Sequence, residues 1–440
     1  MQLRSAPPLG RRPPAANRPE RARMRKVMIV GGGLIGVSSA YELQRSGFEV
    51  TLFEASDALA RGTSYANGGL LSASMPEPWN SPGVGRALLS SLTDPYSAMK
   101  LHPRALPGLV GWGLRFLRLS TPAAYRQACA DNFPLTRFSV DTTLELAAAL
   151  NLDFDQRSVG ILKIFDHPAS LQNTKRGVAA LHNLGLRAER LSADECVAQE
   201  PALDAIRGRI YGGLLFPDDH SGDARRFTQG LGDALRRGGG HMHHGERLVD
   251  IHVSGGAITG MTTSRDHYAC DTVVIATGVD SPKILRKLGV HMPVQPAKGY
   301  SLSIPVDGLE GSPRTPVVDE ALHVAITPLG NQLRVAGTAE FMGHDRTLES
   351  HRVDNLHNVF GKMYPELAPH IRREDCTAWT GLRPMTYDGK PRIGPVGPNG
   401  LFVNTGHGAL GWTMASGSAR LLAALIEGTK PPLDPGPFRP

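Results

Sequence analysis

The stretch that most constrains the fold is residues 27–54, which read VMIVGGGLIGVSSAYELQRSGFEVTLFE. An apolar run suited to a buried strand is followed by a glycine turn, a helix-like segment and a second apolar run. Gly31, Gly33 and Gly36 fit the spacing G-x-G-x-x-G, which allows a tight turn, a close approach to a pyrophosphate and close helix–strand packing. Glu54 ends the second run, where a carboxylate hydrogen-bonds ribose hydroxyls. The sequence therefore predicts a Rossmann-like unit that binds a dinucleotide.

The length and the charge of the chain narrow its class further. A chain of 440 residues is expected to form two or more domains. Residues 1–23 carry six arginines against one glutamate and so supply most of the formal net charge of +7. This Pro-, Ala- and Arg-rich segment has no apolar periodicity and is predicted to be a disordered leader. Because the remainder is nearly neutral, no nucleic-acid partner is expected.

Cysteine and histidine spacing gives no sign of a metal site. The four cysteines are far apart and form no C-x-x-C pair, which suits a reducing compartment and predicts a cytoplasmic location. The histidines at 241, 243 and 244 follow three glycines, and we interpret them as a solvated turn rather than as metal ligands. No apolar run approaches 18 residues, so no membrane-spanning helix is expected.

Residues 109–119, LVGWGLRFLRL, mix aromatic and leucine side chains with Arg115 and Arg118. Two interpretations of this segment stay open. It is either an amphipathic helix that lies on a membrane surface or a helix packed on the protein's own core.

The pattern of the chain changes along its length, which predicts a discontinuous first domain. Ala276, Thr277 and Gly278 form a second small-residue turn after a buried strand, where a nucleotide would be met again. Residues 293–337 show period-two segments typical of antiparallel strands, and residues 401–428 return to strand, glycine turn and helix. The predicted fold class is α/β, with a doubly wound, Rossmann-like nucleotide-binding domain and a second α+β substrate domain containing a mostly antiparallel sheet. The predicted division is a leader at 1–23, nucleotide-binding segments at 24–75, 206–292 and 376–430, substrate-domain segments at 76–205 and 293–375, and a tail at 431–440.

Several further motifs follow the glycine turn in a fixed order. They are SYANGG at 64–69, PxDxxGD at 217–223, KGYSL at 298–302, WTGLRP at 379–384 and NTGHG at 404–408, followed by Gly411-Trp412. Together they resemble the FAD-dependent D-amino-acid oxidase superfamily, and within it the small-subunit type of D-amino-acid dehydrogenase. The resemblance covers residues 24 to about 428, and the segment before Met24 departs from it.

The resemblance implies that FAD is bound non-covalently and in an extended form. Its AMP half is expected on the first glycine turn and Glu54, and its flavin ring is expected near Asn67 and the C-terminal turn. The helix that begins near Gly408 would direct its positive end at the ring, where negative charge develops on reduction. The residues expected to contact FAD are Val30, Gly31, Gly32, Gly33, Leu34, Ile35, Gly36, Glu54, Ser64, Asn67, Gly68, Gly69, Val249, Ala276, Thr277, Gly278, Gly406, Gly408, Leu410 and Gly411.

Three residues are candidates for the reaction itself. Arg383 is predicted to bind a substrate carboxylate, because a guanidinium holds a carboxylate with two parallel hydrogen bonds. Tyr300 either offers its hydroxyl to the substrate or is a core tyrosine whose hydroxyl is bonded elsewhere. His407 either adds a hydrogen bond to the flavin or is a turn residue without a chemical role.

The implied reaction is oxidative deamination of a D-amino acid. A hydride passes from Cα to the flavin, and the imino acid is hydrolysed to a 2-oxo acid and ammonia. Family behaviour implies a quinone or another respiratory carrier as electron acceptor, and with it peripheral contact with the inner face of the cytoplasmic membrane. One alternative is a related oxidase or dehydrogenase of glycine, N-methyl amino acids or hydroxyproline. Another is a flavoprotein without turnover, against which Arg383 and Tyr300 count.

Overall fold

The computed structural model describes residues 25–90 and 99–440, so the predicted leader at 1–23 lies outside the described residues. In chain order, strands β1 to β20 are Lys26–Val30, Glu49–Glu54, Leu70–Leu71, Met99–Leu101, Ile161–Phe165, Glu189–Leu191, Gly212–Phe216, His220–Ser221, His241–His244, Leu248–Ser254, Ala257–Thr263, His267–Ala269, Thr272–Ile275, Val294–Pro305, Val317–Asp319, Val324–Leu329, Gln332–Phe341, Thr377–Thr386, Arg392–Pro395 and Leu401–Thr405. Helices α1 to α10 are Leu34–Arg45, Val84–Ser90, Leu106–Arg118, Pro122–Leu150, Pro168–Leu181, Ala193–Gln199, Ala224–Arg237, Ser281–Arg286, Ser350–Met363 and Gly411–Glu427.

The nucleotide-binding domain is built on a six-stranded sheet in the order β19-β20-β13-β1-β2-β9. Its strands pair in parallel except for β19, which runs antiparallel to β20. Helices α1 and α10 pack on one face, and the small antiparallel sheet β10-β11-β12 covers the other. Strands β1 and β13 are therefore buried on both sides, which explains their continuous apolar sequences. The predicted α/β class is confirmed.

Helix α4 packs on α10 at close range. The amide of Gly417 donates a hydrogen bond to Ser139 Oγ at 2.9 Å, and a Cβ at Gly417 would lie only 2.6 Å from Ser139 Cβ. Helix α4 thus packs on the nucleotide-binding domain, although the predicted division placed residues 76–205 in the substrate domain, on which Cys129 and Phe133 of the same helix pack. Among the helices of the described residues, Gly408–Glu427 is long and apolar enough to span a membrane, but 72% of its apolar window is buried in the fold.

The substrate domain contains a nine-stranded sheet in the order β18-β14-β17-β16-β15-β5-β7-β6, with β4 beside β17. All pairings are antiparallel except β15 with β5 and β4 with β17. The predicted mostly antiparallel second domain is therefore confirmed. Strands β7 and β18 lie in this sheet, whereas the predicted division assigned segments 206–292 and 376–430 to the other domain. Each of these strands pairs within the substrate-domain sheet, although its neighbours in the sequence led to its assignment to the nucleotide-binding domain.

The C-terminal segment 431–440, predicted to be a tail, also contributes to the core. Phe438 is 1% exposed and packs within the core of the nucleotide-binding domain.

A buried carboxyl group joins loops from distant parts of the chain. Asp219 accepts hydrogen bonds from Ser72 Oγ at 2.5 Å and from both the amide and the hydroxyl of Ser74, at 3.2 and 3.0 Å. Burial raises the pKa of Asp219 to about 7, although the hydrogen bonds from Ser72 and Ser74 act in the opposite direction. The folded protein consequently holds this proton more tightly than the unfolded chain.

This asymmetry predicts a pH-dependent stability that depends on one residue. As the pH rises from 5 to 8, the unfolded chain has already lost the proton that folded Asp219 keeps until about pH 7. The free energy of unfolding should fall by roughly 2–3 kcal/mol over this range. Asp219→Asn should remove that slope in urea titrations at the two pH values, whereas Asp233→Asn on the exposed face of α7 should keep it. An unchanged slope in Asp219→Asn would contradict the assignment.

Candidate active site

A cavity of about 1090 Å³ lies between the two domains and is lined by both. It sits beyond the carboxyl ends of β1 and β13, where Val30 and Ala276 contribute to its wall. Ligands of open parallel sheets bind in this crevice. The volume exceeds that of most small-ligand pockets, which is up to about 1,000 Å³, and suits a dinucleotide together with a substrate.

At one end of the cavity, the backbone of the glycine turn packs directly against the backbone that follows β13. Gly31 has a φ of +113°, and a Cβ there would lie 2.6 Å from the carbonyl oxygen of Ala276. Gly36 packs on the carbonyl of Gly31 so closely that any side chain would overlap it. Helix α1 begins directly after Gly33, so its N-terminal residues line the cavity. This arrangement suits a pyrophosphate.

Glu54 is oriented by the backbone around it. Its Oε2 accepts from the amide of Gly32 at 2.6 Å, and its Oε1 accepts from the amide of Ser56 at 2.7 Å. The carboxylate lines the cavity and retains free lone pairs for ribose hydroxyls.

The loop 66–69 is fastened to the substrate domain by its carbonyl groups. Ser301 Oγ donates to the carbonyl of Ala66 at 2.6 Å, and Thr327 Oγ1 donates to that of Gly68 at 2.7 Å. Arg334 donates to the carbonyl of Asn67 at 2.9 Å. The loop therefore forms a fixed wall of the cavity.

Most of the predicted cofactor residues line the cavity. They are Val30, Gly31, Gly33, Leu34, Ile35, Glu54, Ser64, Asn67, Gly68, Gly69, Val249, Ala276, Thr277, Gly278, Gly408 and Gly411. Gly32, Gly36, Gly406 and Leu410 do not. Gly36 supports the turn from behind, Gly406 lies against Thr386, and Leu410 packs on the core of the nucleotide-binding domain. Ser64 Oγ also accepts from the amide of Leu34 at 3.1 Å and thereby occupies one N-terminal amide of α1.

The cavity fits an extended FAD. The amides of α1 and the carboxylate of Glu54 suit its AMP half, and the start of α10 at Gly411 suits the electron-rich end of its ring. Cations that the sequence analysis did not single out, Arg61, Lys283 and Lys287, also line the cavity and would offset phosphate charge. Lys287 Nζ donates to the carbonyl of Val249 at 2.8 Å, which orders the wall around that residue.

Arg383 is a cation without a counter-ion. Its guanidinium donates from Nη1 to the carbonyl of Thr338 at 3.1 Å and lies 5.3 Å from the ring centre of Trp79. Within residues 25–90 and 99–440, no carboxylate forms an ion pair with it. Burial lowers the pKa of Arg383 to about 10, so the group stays charged at neutral pH. A charged guanidinium that lines a cavity and has no acid partner is a binding position for an anion.

The hydroxyl of Tyr300 has a partner within the substrate domain. The residue lies on β14, and its side chain points with that of Leu302 into the core of the substrate domain. Its hydroxyl donates to Glu340 Oε2 at 2.9 Å, and Arg352 forms an ion pair with the same carboxylate at 2.7 Å. Tyr300 is among the residues that line the cavity, but its hydroxyl is engaged by Glu340 within the substrate domain. Of the two interpretations, the core tyrosine is the one observed.

The structure also limits the role of His407. Its Nε2 lies 3.1 Å from Ser418 Oγ, and that hydroxyl donates to the carbonyl of Met414 at 2.7 Å. The buried Nδ1 of the same ring has no hydrogen-bond partner among the described residues. Burial lowers the pKa of His407 to about 3, so the ring is neutral and directed at α10. The imidazole lines the cavity and, being neutral, offers no positive charge to it.

Three tryptophans that were not among the predicted site residues line the cavity, Trp79, Trp379 and Trp412. Trp379 shares a face of β18 with Gly381 and Arg383, and a side chain at Gly381 would overlap its indole. The two-residue period of a strand, applied to WTGLRP, would have identified Trp379. No comparable signal identifies Trp79, which follows β3 in an irregular segment.

Comparison with known proteins agrees with this geometry. The model of the DAO family, described as FAD dependent oxidoreductase, matches residues 26–425. A D-amino acid dehydrogenase from Cereibacter sphaeroides is 39% identical over 409 residues, covering 93% of each chain. Another from Methylobacterium nodulans is 40% identical over 407 residues, covering 92% of this chain and 96% of that protein.

Solved structures agree in fold. Glycine oxidase from Bacillus cereus superposes with a TM-score of 0.72 at 23% identity, covering 92% of this chain and 95% of that one. L-proline dehydrogenase from P. horikoshii superposes with a TM-score of 0.73 at 18% identity, covering 92% and 94%. With the cavity, its glycine turn and the extent of the family match considered together, the chain belongs to the DAO family of FAD dependent oxidoreductases.

Proposed function

We propose that this protein catalyses the FAD-dependent oxidative deamination of D-amino acids to 2-oxo acids and ammonia. The observation that carries the proposal is Arg383, a charged guanidinium that lines the cavity without an acid partner. A substrate carboxylate would supply the missing counter-ion. The relatives named D-amino acid dehydrogenase, at 39–40% identity, support the choice of substrate class.

The residues of this chain bind and orient the substrate. Arg383 would hold the carboxylate, while Trp79 and Trp379 present aromatic surface to the same part of the cavity. When bound, FAD supplies the acceptor for the hydride that leaves Cα. The substrate amine enters neutral, its lone pair supports loss of the hydride, and water converts the imino acid to a 2-oxo acid and ammonia. Because the Tyr300 hydroxyl is bonded to Glu340, the proposal relies on orientation rather than on a strong general base.

Removal of the guanidinium should abolish activity without loss of the cofactor. Arg383→Ala should lower kcat/KM by about 100-fold or more, because two charge-assisted hydrogen bonds are lost. The purified variant should remain yellow and FAD-loaded. Arg372→Ala, which removes an exposed arginine, serves as the control. A colourless Arg383→Ala protein, or one with full activity, would refute the assigned role.

The substrate class is tested by anaerobic reduction of the bound flavin. D-alanine should bleach the absorbance of the flavin, whereas L-alanine, glycine, N-methylglycine and hydroxyproline should do so far more slowly. Faster bleaching by one of the latter compounds would assign the enzyme to that related class instead.

We also propose that α3 contacts a lipid bilayer. The helix buries Leu109 and Phe116, so one face packs on the core as one of the two interpretations expected. A second apolar face is exposed, and Leu114 is 66% exposed. The exposed side chains of this face are Leu106, Val110, Leu114 and Leu117.

The charge around α3 suits an anionic membrane surface. Residues 99–130 contain no Asp or Glu, and they include Lys100, Arg104, Arg115 and Arg118. Apolar side chains beside basic ones are typical of interfacial helices. Such contact supports a location at the inner face of the cytoplasmic membrane and a lipid-soluble quinone as electron acceptor.

The membrane proposal is tested with vesicles that contain phosphatidylglycerol. The wild type should sediment with them. The double variant Val110→Glu/Leu114→Glu should bind with an affinity lower by about tenfold or more, because apolar burial is lost. Leu184→Glu changes a leucine of 49% exposure outside α3 and should bind normally. Equal binding by all three proteins would exclude this surface.

The rate at which a short-chain quinone reoxidises the reduced enzyme should exceed the rate with oxygen. The reverse order of rates would exclude the quinone as acceptor.

A further inference from the structure

The guanidinium of Arg383 lies against the backbone of a neighbouring strand. Strand β18 pairs with β14 so that Arg383 faces Ala297 and Gly381 faces Gly299. A Cβ built on Gly299 would overlap Cζ and both terminal nitrogens of Arg383. The planar guanidinium of Arg383 therefore occupies the space that a side chain at position 299 would fill.

The backbone itself does not require glycine at position 299. Gly299 is absent from the residues with positive φ and lies within a regular antiparallel register. Glycine in a strand interior weakens the strand and commonly marks a close approach of another group. At Gly299 the approaching group is the guanidinium of Arg383.

Strand β17, which pairs with the other edge of β14, is distorted opposite Gly299. Lys298 pairs with Glu340 and Tyr300 pairs with Gly337, so β17 has a bulge opposite Gly299. Within this bulge Thr338 has a φ of +63°, a conformation that a β-branched residue rarely adopts. The carbonyl of Thr338 accepts the hydrogen bond from Arg383 Nη1 at 3.1 Å. Strain of this kind is typical of functional sites.

We propose that Gly299 is a positioning residue that sets the affinity of the site for carboxylates by allowing the guanidinium of Arg383 to lie flat in the cavity wall. The strained carbonyl of Thr338 and the ring of Trp79 complete the support of the guanidinium. This inference rests on the proposed function, in which Arg383 binds the substrate carboxylate.

The first test adds a single methyl group. Gly299→Ala should displace the guanidinium and weaken the binding of pyruvate, the 2-oxo acid formed from D-alanine, by about 10- to 100-fold. Binding is measured by the change in flavin absorbance during titration of the FAD-loaded protein. KM for D-alanine should rise by a similar factor, while FAD content stays normal. Gly177→Ala, which adds a methyl on α5 with no atom within 4 Å, should change none of these values.

A double-mutant cycle separates this role from a general loss of structure. If Gly299 acts through the guanidinium, Gly299→Ala should have no further effect on pyruvate binding in the Arg383→Ala background. A full additional loss in that background would overturn the proposal. Wild-type affinity of the single variant Gly299→Ala would overturn it as well.

A second variant keeps the proposal falsifiable if Gly299→Ala does not fold. Lysine lacks the planar group that overlaps the added methyl, so Gly299→Ala/Arg383→Lys should fold and hold FAD as Arg383→Lys does. Failure of that double variant to fold would place the clash elsewhere and refute the inference. The proposed function fails separately if wild type and Arg383→Ala respond identically to pyruvate, or if the wild type does not respond. In that case the inference fails with it.

Discussion

The pairing of β18 with β14 determines how the two halves of this protein meet. The two strands stay in register from Val294 opposite Thr386 to Ser303 opposite Thr377. Near the end of β18, Met385 stays paired with Gln295 of β14 and also forms a bridge with His407 in the turn before α10. One continuous strand thus carries Arg383 and also touches the C-terminal turn of the nucleotide-binding domain. The position of the guanidinium over the crevice follows from this connection.

Close backbone approach is the second constraint that recurs through the molecule. Gly31 lies against the carbonyl of Ala276, Gly417 against Ser139, and Gly299 against the guanidinium of Arg383. In each case a methyl group would separate parts that must touch. The first contact shapes the nucleotide end of the cavity, the second joins α10 to α4, and the third supports the substrate end. The strained backbone of Thr338 occurs beside the last of these contacts, where rigidity serves binding most directly.

The elements whose signal is local could be predicted well. The glycine turn, α1 and the acid at the end of β2 form a unit of fewer than 30 residues whose spacing alone specifies its geometry. Tyr300 shows where such reasoning ends. The alternation in KGYSL places Tyr300 and Gly299 on opposite faces of β14, but which face meets the cavity depends on the sheet that packs against it. His407 is similar, because only the position of Ser418 on α10 reveals the partner of its Nε2.

The sequence by itself determined the class of fold, the dinucleotide-binding turn, and an arginine suited to a carboxylate, because each depends on residue types at short and fixed spacing. The tertiary structure alone decided that β7, β18 and α4 cross the expected domain boundaries. It also decided that Tyr300 faces the core and that Trp79 lies beside Arg383. These facts arise from contacts between residues up to hundreds of positions apart. Burial, strand register and the fit of neighbouring surfaces set such contacts, and none of these quantities can be obtained from the spacing of residues along the chain.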